Sequence, residues 1–190
     1  CAGWSNVEIR NILESHFQHP VFIEHDPNCM LYSAVYSNPM ENSVLFRMDR
    51  SIGMAVTLDG NILRGNGALE IAHSIAVPDG KECKCGKRGC VEAYLKACLK
   101  EEFCSESVDE MTKVISVLMY NMSQIFNASK LILTGKLVNF KDIFEDKLME
   151  EFYKYCEPGQ VKVEFMDETR KVVYGAAMIA IQGAIDQIEI

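Results

Sequence analysis

Apolar positions recur along this chain at two alternating periods, and that alternation predicts its architecture. Between Ser107 and Phe126 a helical stripe carries Val108, Met111, Ile115, Leu118, Met122 and Ile125, the pattern of a long amphipathic helix lying on a sheet. Asn6 to Phe17, Asn28 to Tyr36, Phe140 to Tyr155 and Lys171 to Ile188 read as further helices, the second with Met30, Leu31 and Val35 turned inward. Shorter runs read as strands: Val21 to His25, Ser43 to Met48, Ile52 to Leu58, Asn61 to Arg64, Leu131 to Leu133 and Val161 to Phe165. Asp59-Gly60 between two of them is a strong hairpin-turn signal. Strands interleaved with helices point to an α/β architecture, and no repeat, low-complexity tract or linker divides residues 1–190.

Composition narrows the function classes. The 190 residues are 48% hydrophobic, enough to bury one sizeable core, so a single domain is expected. A formal charge of -8 argues against this chain gripping a phosphate backbone itself, because nucleic-acid binders present a basic face. No apolar run is long enough to cross a bilayer and no signal peptide is visible, so a cytoplasmic protein with reduced thiols and no membrane partner is expected.

One segment changes the picture. From His73 to Glu92 the chain runs His-x9-Cys-x-Cys-Gly-x2-Gly-Cys-x-Glu. His73, Cys83, Cys85 and Cys90 supply the thiolates and imidazole of a closed tetrahedral shell, with Gly86 and Gly89 easing the tight loop. Zinc is the metal that this donor set favours, and with all positions filled its role would be structural. Lys81, Lys84, Lys87 and Arg88 are placed to offset the thiolate charge. The competing reading is ordinary buried thiols or one disulfide. Cys1, Cys29, Cys98, Cys104 and Cys156 are scattered and read as small core residues.

The same segment, EIAHSIAVPDGKECKCGKRGCVE, resembles the signature of the ROK family of bacterial sugar kinases and sugar-responsive transcriptional repressors, Glu-x-Gly-His followed by Cys-x-Cys-Gly-x2-Gly-Cys-x-Glu, with Ala72 in place of the glycine. Around it, PVFIEHDPN resembles the family's strand ending in Glu-Asn-Asp-Ala-Asn, and FRMDRSIGMAVTLDG its hairpin Gly-Thr-Gly-x-Gly-x-Gly followed by Asp-Gly. LILTGK is similar to the adenine-side strand and loop, and YGAAMIAIQGAI to the closing helix. The resemblance implies the ribonuclease H-like, actin-like ATPase fold, here its C-terminal lobe with a zinc-binding loop. The family's first lobe and the repressors' winged helix-turn-helix are not visible, so a fragment of a longer protein is expected.

By that resemblance Asp26 would accept the proton of the hydroxyl to be phosphorylated if the protein is a kinase, and Glu70 and Glu92 would hold other ring hydroxyls. Buried carboxylates suit such work, because an unmatched partner leaves a costly unpaired charge. His73 would give one ring nitrogen to the metal and the other to a sugar hydroxyl, and His25 stands where the family has asparagine. The phosphate loop is degenerate: Asp49-Arg50-Ser51 replaces Gly-Thr-Gly, while Gly53 remains. Glycines let backbone N–H groups approach phosphate oxygens, and Asp49 adds negative charge instead. The expectation is therefore a sugar-sensing domain of a ROK-type transcriptional regulator without kinase activity. The alternative is an ATP-dependent hexose or N-acetylhexosamine kinase, for which ATP and Mg²⁺ would be needed. The expected partners are a small-molecule sugar, DNA only through a domain absent from this chain, and a second copy in a homodimer.

Overall fold

The structure, a computed structural model, describes residues 7–38, 40–167 and 171–187. Its centre is a five-stranded sheet of β1 (Ser43–Met48), β2 (Ile52–Leu58), β3 (Asn61–Ile62), β4 (Lys130–Thr134) and β5 (Lys162–Phe165), in the order β3-β2-β1-β4-β5. β1 to β3 form an antiparallel meander, whereas β4 and β5 add in parallel to β1. That arrangement is the ribonuclease H-like one expected from sequence.

Strand residues alternate between two apolar layers. Phe46 lies opposite Met54 on one side and Leu133 on the other, so these side chains share a face with Val44, Met48, Val56 and Leu131. Helices α3 (Val91–Lys100), α4 (Ser105–Ile125) and α5 (Lys141–Phe152) cover that face through Leu95, Met111, Met119, Phe144 and Phe152. Leu45, Ala55 and Ile132 point the other way, onto Met30, Leu31 and Val35 of α2 (Asp26–Val35), which packs in turn against α6 (Lys171–Asp186). Strands covered on both faces read as continuous apolar runs, which is why SVLF and LIL show no polar alternation.

Several elements differ from the sequence reading. Val21 to His25 is not a strand: the sheet edges are β3 and β5, and the segment's backbone donors go instead to side chains, Val21 N–H to Glu14 at 3.1 Å and His25 N–H to Glu24 at 2.9 Å. The helix expected from Asn28 starts at Asp26, since Pro27 in its first turn gives up no needed N–H. The return strand of the hairpin ends at Ile62, after which Arg64 turns away to Glu24 at 2.8 Å. Asp59 and Gly60 have φ of 48° and 80°, the left-handed pair that a two-residue hairpin requires. The long helix falls where expected, as do α1 (Ile9–Phe17) and α6, although Asn6 and Ile188 lie outside the described residues. The helix expected from Phe140 starts at Lys141, preceded by a 3-10 turn over Lys136–Phe140. Helix α3 was not anticipated, yet Val91, Tyr94, Leu95 and Cys98 follow helical spacing and all are buried. Cys29, Cys98 and Cys156 are core residues; Cys104 is exposed, contrary to expectation, and Cys1 lies outside the described residues.

Candidate functional site

Downstream of β3 the chain runs without helix or strand until α3, held by tight turns. Cys83 N–H donates to the Lys87 carbonyl at 2.9 Å and Gly86 N–H to the Cys83 carbonyl at 3.0 Å, folding the loop back on itself. Gly89, with φ of 80°, lies against the Val77 backbone where a Cβ has no room. This geometry delivers Cys90 to the residue just before α3 and brings four donors together: one ligand atom each from His73, Cys83, Cys85 and Cys90, all within 4.8 Å of one another.

The donor spacing fits a metal. The Cys85 and Cys90 sulfurs are 3.6 Å apart, as are the Cys83 sulfur and His73 Nδ1. A tetrahedron with ~2.3 Å bonds places its corners about 3.8 Å apart. The loop's backbone supports the thiolate form of Cys85: the Lys87 N–H lowers its pKa, helped by the Lys87 charge. Burial, followed by the neighbouring thiols, pushes Cys90 up to about 11. Of the cations read as offsetting charge, Lys81 is engaged by Glu110 at 2.9 Å and Arg88 by Glu82 at 2.8 Å.

A second centre lies at the carboxyl ends of β1 and β4, the edge at which open α/β sheets place their ligand crevices. It is a cleft of about 680 Å³ whose lining includes His25, Asp26, Arg47, Asp49, Arg50, Ser51, Gly53, Glu70 and Lys136. The parallel register that sets Arg47 beside Thr134 puts the β1–β2 turn next to the loop after β4. Gly135 makes that approach feasible: its φ is 101°, and an added Cβ would sit 2.5 Å from the Met48 carbonyl oxygen.

Charges in this cleft are wired together. Arg47 reaches Asp26 at 3.2 Å with one guanidinium nitrogen and Asp49 at 3.0 Å with the other. The remaining carboxylate oxygen of Asp49 accepts the Lys136 backbone N–H at 2.7 Å. Asp49 therefore does not stand as a bare negative charge; its oxygens meet a cation and a backbone donor.

Of the residues singled out by sequence, His25, Asp26 and Glu70 line the cleft together with Asp49, Arg50, Ser51 and Gly53. His73 and Glu92 do not. Glu92 is buried at the start of α3, 2.7 Å from Lys96, hydrogen-bonded to Ser51 and 3.7 Å from His73 Nε2. Burial alone would raise its pKa, but Lys96, Ser51 and His73 hold the carboxyl below its ordinary value. The His73 ring thus faces the cysteines with Nδ1 and a carboxylate with Nε2, the arrangement in which an acid orients a metal-binding imidazole. Arg47 and Lys136 were missed by sequence. The signal for Arg47 was legible, a lone cation in the apolar strand SVLFRM; nothing in the sequence pairs Lys136 with Asp49, 87 positions away.

Residues 2–98 match the family model described as ROK family. The chain belongs to the ROK family. Among its relatives, a glucokinase of Halalkalibacterium halodurans is 29% identical over 132 residues, covering 66% of this chain and 40% of the relative. The xylose repressor of Bacillus spizizenii is 26% identical over 134 residues, 67% of this chain and 35% of the repressor. The chain thus spans two fifths or less of the length of these curated relatives. The crystal structure of a ROK hexokinase from Thermus thermophilus superposes with a TM-score of 0.80 at 22% identity, over 94% of this chain and 70% of that one. The fold is accordingly that of the ROK proteins, the actin-like ATPase fold. ROK kinases and ROK repressors both stand among the relatives, and similarity does not separate them. No described helix is long and apolar enough to cross a membrane.

Proposed function

We propose that this chain is the sugar-sensing lobe of a ROK-type transcriptional regulator, without kinase activity and with structural zinc in the Cys/His loop. The observation that carries the reading is the Asp49 carboxylate at the β1–β2 turn, accepting the Lys136 N–H and paired with Arg47. Phosphoryl transfer from a nucleotide depends on donors and cations that are free to meet the phosphates. Here a backbone donor and a guanidinium beside the resemblance-derived phosphate loop already serve an acid of the chain itself.

In this reading Asp26, Glu70 and His25 bind sugar hydroxyls at the cleft. His73, Cys83, Cys85 and Cys90 would hold zinc, a closed site that supplies rigidity and no reactive water. Glu92 then connects the metal loop to the cleft: it contacts His73 on one side and Ser51 on the other. DNA would be reached through a domain not contained in this chain, the assembly would be a homodimer and the setting the cytoplasm.

The kinase reading retains one observation in its favour: Asp26, the residue that would accept the hydroxyl proton, is exposed at the cleft, 3.2 Å from Arg47. A coupled ATPase assay on the full-length protein with a sugar panel separates the two. The regulator reading expects a sugar-induced rise in Tm and no turnover. Turnover that disappears in Asp26→Asn would overturn it.

A further inference from the structure

We infer that Cys104 and Cys98 form a reversible thiol-modification site: Cys104 reacts with a low-molecular-weight disulfide such as oxidised glutathione, and Cys98 resolves the adduct into an internal disulfide. This site lies apart from the cleft, and its chemistry does not depend on what the cleft binds.

The described cysteines divide by their surroundings. Cys83, Cys85 and Cys90 belong to the Cys/His loop, while Cys29 and Cys156 are buried. There remain Cys98, buried in the last turn of α3, and Cys104, exposed at the residue just before α4.

The chain between these two folds back on itself. Phe103 N–H donates to the Cys98 carbonyl at 3.0 Å and Cys104 N–H to the Glu101 carbonyl at 3.1 Å, which returns Cys104 to the end of α3. Phe103 packs on Phe140, with ring centroids 5.0 Å apart, and so anchors the residue next to Cys104. Glu102 and Phe103 have φ of 51° and 59°, two consecutive side chains in the left-handed region that suits glycine. A turn held in that sparsely populated conformation gives up no favoured backbone geometry when it rearranges.

One hydroxyl joins the two thiols. Ser107, fixed in the first turn of α4 by its bond to the Cys104 carbonyl at 2.9 Å, has its Oγ 3.2 Å from the Cys104 sulfur and also hydrogen-bonds the Cys98 thiol. The sulfurs are therefore no more than two hydrogen bonds apart, and rearrangement of the turn closes the remaining gap to a covalent bond.

Their environments set the order of attack. Cys104 is open to solvent, so a soluble disulfide meets it first. Burial raises the pKa of Cys98 against the Ser107 hydrogen bond, and the Cys104 and Glu101 charges push the same way as burial. Modification of Cys104 removes one of those charges, which frees Cys98 to act second.

In the first step the Cys104 thiolate attacks one sulfur of the external disulfide RSSR. The new Cys104–SR bond forms, the RS–SR bond breaks, and the leaving thiolate takes up a proton equivalent to the one Cys104 released, departing as RSH. In the second step the Cys98 sulfur attacks the Cys104 sulfur, and the other RSH departs with the proton from Cys98. Two protein thiols are thus oxidised while one external disulfide is reduced to two thiols. Where a thiol pool keeps proteins reduced, such a bond is transient and regulatory rather than a permanent staple.

The test is a tryptic map of the full-length protein exposed in its folded state to oxidised glutathione, with the remaining thiols alkylated afterwards in denaturant. Cys98 falls in peptide 97–100 and Cys104 in peptide 101–113, so the expected bond links two separate peptides. That linked pair should appear in the parent and vanish on treatment with dithiothreitol. Cys98→Ala should stop the reaction at glutathionylated Cys104, and Cys104→Ser should leave Cys98 unmodified in the folded protein. Absence of the linked pair in the parent overturns the inference, whether Cys104 stays free or carries glutathione that is never resolved. A disulfide confined to Cys83, Cys85 and Cys90 overturns it as well. The parent's map decides the matter even where a variant fails to fold.

Discussion

The metal loop and the β1–β2 turn are joined through Glu92 and Ser51, yet they have diverged from the ROK pattern to opposite degrees. The loop keeps all four ligands, and nearly all its geometry is local: His73 to Cys90 spans 18 positions, and the turns at Gly86 and Gly89 do the folding. The turn has exchanged Gly-Thr-Gly for Asp49-Arg50-Ser51, and its contacts reach across the fold to Asp26 and Lys136. A closed four-ligand shell is sensitive to the loss of any one donor, since a three-donor site must take up water to complete its tetrahedron. A turn at the mouth of a cleft can change its ligand while the strands beneath it stay packed. Retention in one place and replacement in the other are what a lobe would show if it kept its scaffold and exchanged one ligand for another.

The most severe way to break this comparison is to remove a ligand from the loop. Cys85→Ser should abolish stoichiometric metal and cost on the order of 4 kcal/mol, lowering Tm by about 8–16 °C. Metal analysis and thermal melts measure both, and a strong chelator should reproduce the shift in the unmodified protein. A Cys85→Ser protein that melts like the parent would show that the loop holds itself together without the ion.

Next in size is the close approach of the loop after β4 to β1, beside the cleft. Gly135→Ala forces a side chain into φ of 101° and places its Cβ 2.5 Å from the Met48 carbonyl oxygen, so the loop after β4 must move away from β1. The expected cost is about 2–3 kcal/mol in urea titrations. Metal content should not change, because the loop's ligands lie elsewhere, and that contrast sharpens the separation of the two regions.

Smaller again is the ionic wiring of the turn. Asp49→Ala leaves the Lys136 N–H without its acceptor and Arg47 with one partner fewer. Side chains about a quarter exposed share their field with water, so the stability loss should be about 1 kcal/mol or less. A double-mutant cycle with Arg47→Ala should give a coupling below about 1 kcal/mol. A coupling several times larger would mean that Asp49 is a structural keystone and not a replaceable group at a cleft.

How much of this was legible in sequence follows the same division. The four clustered His and Cys donors could be named outright, because spacing and glycines within one short segment determine their geometry. The sheet was legible from apolar runs, and α4 from its stripe. The Arg47 bridge was not: it joins the N-terminus of α2 to the end of β1, and only the packing of α2 on the sheet brings Asp26 within 3.2 Å. Val21 to His25 misled for a related reason. Its apolar pattern suits a strand, but strand formation needs a partner edge, and its nearest available acceptors were Glu14 and Glu24. Glu92 was read as a sugar ligand, but it lies outside the cleft lining, and its buried contact with Lys96 and Ser51 depends on α3, which had not been anticipated.

The smallest expected effect concerns pH and sits beside the cleft at Glu24. Burial raises the pKa of this carboxyl, but Asn28, the His25 N–H and Arg64 outweigh it and hold the group below its ordinary 4.5. A proton therefore binds the unfolded chain more tightly than the folded one. The stability that Glu24 adds is fully present above 4.5 and is lost as pH falls through the lower folded value. In Glu24→Gln this contribution is absent at every pH, so urea midpoints of variant and parent should differ at neutral pH and converge as pH falls below 4.5. Because Arg64 is more than half exposed, the difference should stay under about 1 kcal/mol. With zinc bound, the Cys/His loop would add acid sensitivity of another kind, since protons compete with the ion for thiolates, and both proteins should share it equally. A gap that widens on acidification would assign the low-pH weakness near the cleft to a group other than Glu24.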